Sequence, residues 1–418
     1  MPTLSASNRS QLSYKLEGTY PTNFGVLQAG NGTLLNMTNE SFDYTVKTEM
    51  SKQIRSDRQV PDIVQVSASP QGGFGFEHQY KEYDPFIEGV MQNTFTVYGT
   101  LGVSAAIPTM TFAAGTITAG AATSGVDIWT SLKKGQWFTV RPPAGATQTV
   151  KDYFAGRAFR VSLTTPPTTT VITLDAATQI NTTLSGASMS NGFIATSRVD
   201  NGSVMKSYSI EVQHADISRF RQYLGMIPSK MDMKLSVGSI VTGSFDFMGK
   251  GFNLDTVTGM GSAAASQTYT PANATRGVFD IFEAGASINA TTYIKSADIS
   301  IDNSLRAQDA VGVFGNAGIA AGTMKNTFKL EVYFADSVMY GKLLSGAASS
   351  LAIPILDVDG NGYVYYFPRI KYTAAKVGTG GLDQDNMLSM DGQALPDTTA
   401  GSDTLGKTVV IYRVGAAV

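Results

Sequence analysis

The sequence predicts a mainly β protein: two tandem β-sandwich or barrel domains with short flanking helices, plus a small β-barrel inserted into the first. Three observations carry this. Short runs of alternating apolar and polar residues recur along the chain, separated by glycine and proline, as half-buried strands require. The order strand, arginine-bearing loop, strand, helix occurs twice, which points to an internal duplication. Residues 94–200 differ from both copies in being rich in small residues and poor in charge.

The chain begins with an alternating run in which Leu12, Tyr14 and Leu16 flank Ser13 and Lys15. Gly18, Pro21, Gly25, Gly30 and Gly32 then break the pattern into an extended arm. In the first copy, Ser41–Lys47 alternates, Ile54–Gln59 is the polar loop, and Gly73–Glu77 alternates again. Phe86, Ile87, Val90 and Met91 follow at helical spacing. Within 94–200, strand-like runs are Gly135–Val140, Arg157–Leu163 and Thr170–Asp175, punctuated by Pro142, Pro143, Pro166 and Pro167. The first copy resumes near Ser203, with strands at Tyr208–Val212, Met231–Val237 and Val241–Phe247 and a short helix over Ile217–Leu224. Gly249–Thr275 reads as a small-residue linker.

The second copy opens with Ala297–Asp302, an alternating strand. The loop Asn303–Asp309 and glycines 312, 315, 318 and 322 lead to a second strand, Phe328–Phe334. A short helix over Ser337–Leu344 is stopped by Gly346. Closing strands are Leu351–Ile355, Tyr363–Phe367, Ile370–Ala374 and Val409–Val414. The predicted domains are 1–93 with 201–258, the insert 94–200, and 259–418.

Composition narrows the function classes. The 418 residues include no cysteine, so there is no disulfide framework and no thiolate metal site. The start of the chain has no apolar signal core, and no stretch approaches the roughly 18 apolar residues of a membrane span. A net charge of -2 argues against a dedicated nucleic-acid binder. Asn-x-Ser/Thr triplets at Asn31, Asn36, Asn181, Asn201, Asn273 and Asn289 read as features of Asn- and Thr-rich turns.

Catalytic patterns are missing. The histidines, His78 and His214, lie far apart and read as surface or structural. Asp357-Val358-Asp359-Gly360-Asn361-Gly362 echoes the start of a calcium loop, but no glutamate follows at the required spacing, and Asn-Gly favours a hairpin turn. Asp383 and Asp385 read as solvated. No enzyme activity and no cofactor is expected. A carbohydrate- or cell-surface-binding role is the alternative, with Trp129, Trp137, Tyr153 and Phe154 as an aromatic platform; their packing into the insert's own core is the favoured reading.

Ser7-Asn8-Arg9-Ser10-Gln11-Leu12 and Ile54-Arg55-Ser56-Asp57-Arg58-Gln59-Val60 resemble stretches of the major tail tube proteins of long-tailed, siphovirus-type bacteriophages. Gly238–Phe245, Ile301–Arg306 and Asp359–Val364 are similar as well, so the resemblance covers most of the chain outside the insert. It implies a β-sandwich protomer forming rings that stack into a tube, with a lumen lined by strands from every ring member. That tube would conduct DNA at ejection and meet the tape measure, tail terminator and distal tail proteins. DNA contact would be transient, no membrane would be involved, and assembly would take place in the host bacterial cytoplasm.

Three further expectations follow for the residues. Lys52, Arg55, Asp57 and Arg58 in the first loop, and Arg306 and Asp309 in the second, are expected to contact neighbouring subunits or rings through Arg–carboxylate pairing. The polar strand faces, bearing Asp43, Lys47, Glu77, Asp232, Lys234, Asp298, Asp302 and Glu331, are expected to line a lumen. Counting Glu49, Asp246, Lys329 and Lys371 with them makes that face net acidic, which suits sliding DNA. Two copies per chain would let three chains make a pseudo-six-fold ring with the insert outside; a true hexamer is the competing arrangement.

Overall fold

A computed structural model describes residues 5–20, 30–98, 109–120, 132–140, 145–154, 157–168, 170–175, 182–185, 196–275, 277–278, 280–288, 292–335, 337–357, 359–399 and 402–415. Strands β1 (Ser10–Leu16), β2 (Thr33–Leu35), β3 (Asn39–Glu40), β4 (Asp43–Met50) and β5 (Ile63–Glu77) lead to helix α1 (Asp84–Met91) and β6 (Thr96–Tyr98). The insert holds β7 (Thr109–Ala113), β8 (Thr116–Ala119), β9 (Trp137–Thr139), α2 (Gln148–Phe154), β10 (Ala158–Arg160), β11 (Val171–Thr173) and β12 (Thr182–Ser185). Next come β13 (Thr196–Asp200), β14 (Tyr208–His214), β15 (Arg219–Ser236), β16 (Thr242–Met248) and β17 (Gly251–Asp255). The remainder comprises β18 (Phe282–Glu283), β19 (Ala286–Ser287), β20 (Ile294–Asp302), β21 (Arg306–Asp309), β22 (Asn316–Ala320) and β23 (Lys325–Tyr333). After helix α3 (Val338–Ser345) come β24 (Ser349–Leu356), β25 (Gly362–Gly378), β26 (Met387–Leu395) and β27 (Val410–Val414). The fold is mainly β.

One antiparallel run of eight strands organises the molecule: β4, β5, β16, β15, β20, β23, β26, β25. Its first four strands and its last four have the same chain order and pairing. Each half contains one very long strand, β15 or β25, which serves two sheets. The later part of β15 pairs with β16, and its earlier part with β14 and β17. The later part of β25 pairs with β26, and its earlier part with β24 and β27.

The irregularities match as well. The register of β15 on β16 shifts between Pro228 and Lys230, and that of β25 on β26 between Tyr372 and Ala374. A second shift lies between Tyr208 and Ile210 on β14, and between Ser349 and Leu351 on β24. Aligning the shifts puts Ser229 on Thr373 and Met226 on Ile370. A bulge leaves a residue unpaired and bends the strand, so each long strand turns from one sheet into the other at the same point.

The eight-stranded run is apolar on one face. Phe74, Phe76, Met231, Met233, Phe245, Ile299, Ile301, Phe328, Leu330 and Met390 point into the main core with α1 and the second strand layer. At two points on this face a glycine makes room for the large side chain opposite it. Phe247 faces Gly72, and Phe328 faces Gly392, where a Cβ would overlap the Phe328 ring. The end of α3 is as its sequence predicts: Gly346 takes φ 63 and its N–H caps Leu343 and Lys342 carbonyls.

Several sequence expectations are corrected here. Ile217–Leu224 is not a helix: from Arg219 it is β15, because β14 and β17 flank it on both sides and their backbone hydrogen bonds outweigh local preference. Gly249–Thr275 is not a free linker: Gly251–Asp255 is the paired strand β17, Met260 is buried, and Ala264 bridges Thr33. Tyr363–Phe367 and Ile370–Ala374 form one strand, β25. Half of the second arginine-bearing loop is strand β21, paired with β22.

Within the insert, β11, β8, β7 and β12 form one sheet over Met110, Phe112, Ile117, Phe154 and Ile172. Both ends of the 94–200 segment join the main fold, since β6 and β13 pair with each other and β13 with β27. Trp137 packs on Phe282, ring centroids 5.1 Å apart, and Arg160 donates to the Tyr366 hydroxyl at 3.2 Å.

Candidate assembly interface

The polar face of the eight-stranded run carries charge in cross-strand rows. One row reads Glu77, Thr242, Lys234, Asp298, Lys329, Asp391, each directly opposite the next. Signs alternate along it, the arrangement that stabilises facing pairs. A second row runs Asp246, Lys230, Asp302, Lys325, and Lys230 also meets Asp232 at 2.6 Å. Hydrogen bonding to Asp232 raises the Lys230 pKa, while burial beside Asp232 and Asp302 raises that of Asp246. Burial likewise lifts Asp298. A shallow hollow over this face is lined by Asp232, Lys234, Asp298, Lys329 and Asp391.

Asp43, Lys47, Lys234 and Lys329 are exposed, and Glu77, Asp232, Asp298, Asp302 and Glu331 are half-buried. The register adds Lys230, Lys325, Lys376 and Asp391, which the sequence tally omitted. Lys230 and Lys325 precede the visible alternations of their strands, and the bulge at Thr373 reverses the parity between Lys371 and Lys376. With these included, the face is closer to charge balance than the sequence count suggested.

Both arginine-bearing segments project from the sheet. Lys52, Arg55, Asp57 and Arg58 lie exposed between β4 and β5, and Arg306 and Asp309 lie exposed on β21. Arg55 grips Asp57 of its own loop, Nε–Oδ1 3.0 Å and Nη2–Oδ2 2.6 Å. Exposed apolar side chains accompany the charges: Ile54, Val60, Ile63 and Val64 on the first projection, Val311 and Phe314 on the second. Exposed apolar groups clustered with charge mark interaction surfaces.

The other residues singled out from sequence are structural. His78 is buried, with Nε2 3.1 Å from the Tyr365 hydroxyl, and burial lowers its pKa from 6.5 to about 4. A base whose pKa falls on folding contributes stability above its unfolded pKa that is lost as pH falls toward the folded one. Urea unfolding should therefore lose about 2 kcal/mol between pH 7 and pH 5 through His78, and His78→Gln should remove that component. An unchanged pH slope in the variant would exclude this role. His214 lies within reach of Ser5, Ser10 and Arg221. Asp357 accepts backbone N–H bonds from Asp359 and Asn361, closing the hairpin between β24 and β25. Among the described residues no cluster of His, Asp and Glu has metal-binding geometry.

Trp137 and Phe154 are buried, Tyr153 is half-buried under the Arg157 guanidinium at 4.5 Å, and Trp129 lies outside the described residues. Among the described residues no helix is long and apolar enough to cross a membrane. A family model described as phage tail tube protein matches residues 7–394. No curated protein was found to match the chain.

Proposed function

The chain belongs to the phage tail tube protein family and is a structural component of the virion tail; from this premise we propose that it self-assembles into rings that stack as the tube through which DNA is ejected. The observation that carries the reading is the eight-stranded run made of two like halves. An exposed strand edge is a template for pairing, and closure into a barrel removes it. The run has open edges at β4 and at the later part of β25, so copies can join edge to edge around a ring.

Each half counts as one tube domain in this reading, 1–93 with 201–258 and 259–418, so three chains make a pseudo-six-fold ring. Pairing of β15 with β20 supports this over a hexamer in which the second half is an outer layer, because both halves share one sheet. The polar face lines the lumen. Its alternating signs leave DNA little continuous positive charge to neutralise, and hence little to hold it. The projections bearing Arg55 and Arg306 reach the next ring, and the 94–200 insert decorates the exterior, since every lumen position is already occupied by sheet. Contacts with tape measure, terminator and distal tail proteins complete the tail, with assembly in the host bacterial cytoplasm.

Electron microscopy of the purified protein tests all of this in one measurement. Hollow tubes should appear, with threefold rings, three external knobs per ring and both projections at the ring–ring boundary. Six equivalent knobs per ring, or knobs inside the channel, would overturn the arrangement. A protein that stays monomeric at high concentration would overturn the assembly itself.

A further inference from the structure

We infer that the ring closes by antiparallel pairing of Thr373–Lys376 on one copy with Asp43–Val46 on the next, in a register set by the junction inside the chain. The inference rests on the ring-forming reading above and adds to it which edges meet and which residues stand opposite.

Inside the chain the last strand of the first half, β15, pairs with the first strand of the second, β20. The corresponding last strand of the second half is β25, and past Ile370 it pairs only with β26 among the described residues. The corresponding first strand of the first half is β4, which among the described residues pairs only with β5. Two unpaired edges thus remain, and they are the counterparts of the two edges already joined.

The repeat fixes the register. The shared bulge places Lys230 on Ala374, Met231 on Ala375 and Asp232 on Lys376. On the other strand, the pairings with β5 and β23, read through β16 and β26, place Ile301 on Tyr44, Ser300 on Asp43 and Asp302 on Thr45. The internal pairs Lys230–Asp302, Met231–Ile301 and Asp232–Ser300 therefore become Ala374–Thr45, Ala375–Tyr44 and Lys376–Asp43 between copies. The internal junction continues with the Asn303 N–H on the Ser229 carbonyl at 2.9 Å; its counterpart is the Val46 N–H on the Thr373 carbonyl. Pairing ends at Asp43, because the Phe42 carbonyl is already held by Arg221 and Tyr223 of its own chain.

Chemistry on the two edges agrees with this register. Asp43 and Lys376 are exposed and fall opposite one another on the polar face, a facing pair of opposite sign. Tyr44 and Ala375, both half-buried, meet on the apolar side, where Met231 meets Ile301 within the chain. The occupant of each edge is accordingly a second copy of this chain.

Because the chain has no cysteine, introduced thiols report unambiguously. In Asp43→Cys/Lys376→Cys tubes, mild oxidation should link copies into covalent dimers and closed trimers on a non-reducing gel. Tubes of Thr45→Cys/Lys376→Cys, one diagonal out of register, should link at least about tenfold more slowly, since diagonal neighbours lie roughly 7–8 Å apart. Asp43→Lys alone should suppress assembly, and adding Lys376→Asp should restore it. Tubes that form without cross-links, or a charge swap no better than the single change, overturn the pairing while the tube reading stands. Failure of the unaltered chain to form rings or tubes overturns both.

Discussion

Asp84→Ala should cost the folded chain about 2–3 kcal/mol, short of the full penalty for a buried unpaired charge because the stranded Arg413 is half-buried. Asp84 is the first residue of α1, in the first half of the chain. Its carboxylate accepts hydrogen bonds from Arg413 of β27 and from the Tyr363 hydroxyl of β25, both in the second half. Tyr363 is fully buried, and Arg413 also donates to Ser197 Oγ at 3.1 Å and lies 4.7 Å over the Phe95 ring. Alanine strands the guanidinium in a niche shaped for a charge pair and leaves the Tyr363 hydroxyl without an acceptor. Asp84→Asn keeps that acceptor and should lose less. Urea unfolding of the unassembled chain measures both, and an alanine variant within about 1 kcal/mol of the parent would show that the pair contributes little.

Gly72→Val should prevent accumulation of folded chain. Gly72 sits in β5 with φ +117, a conformation that side chains with a Cβ avoid. A Cβ there would overlap the Ser41 carbonyl group and approach the Phe42 backbone. The strain alone is worth about 1–3 kcal/mol, and a main-chain carbonyl has no rotamer with which to give way. The strand cannot shift either, because β3, β4 and β16 flank it. Gly360→Ala is the control: φ is +78 but nothing lies within 4 Å, so only the strain of roughly 1–2 kcal/mol should appear. Comparable soluble yield and thermal midpoints for the two variants would refute the steric account.

Local patterns in the sequence determined what local physics controls. Alternation over Ala297–Asp302 gave β20, apolar spacing gave α1, Gly346 ended α3, and Asn361-Gly362 closed a hairpin. The repeated order of strand, loop, strand and helix was legible for the same reason: each part is set by residues a few positions apart. Tertiary structure decided the rest. Arg219–Leu224 became a strand because partners from β14 and β17 flank it, and Gly251–Asp255 left the linker to pair with β15. Lys376 reached the polar face through the bulge at Thr373, and a one-residue bulge reverses side-chain parity without any signal in alternation. Which strand edges are filled and which stay open depends on pairings between residues far apart in sequence, so the edges at β4 and β25 became visible only once the sheet was assembled.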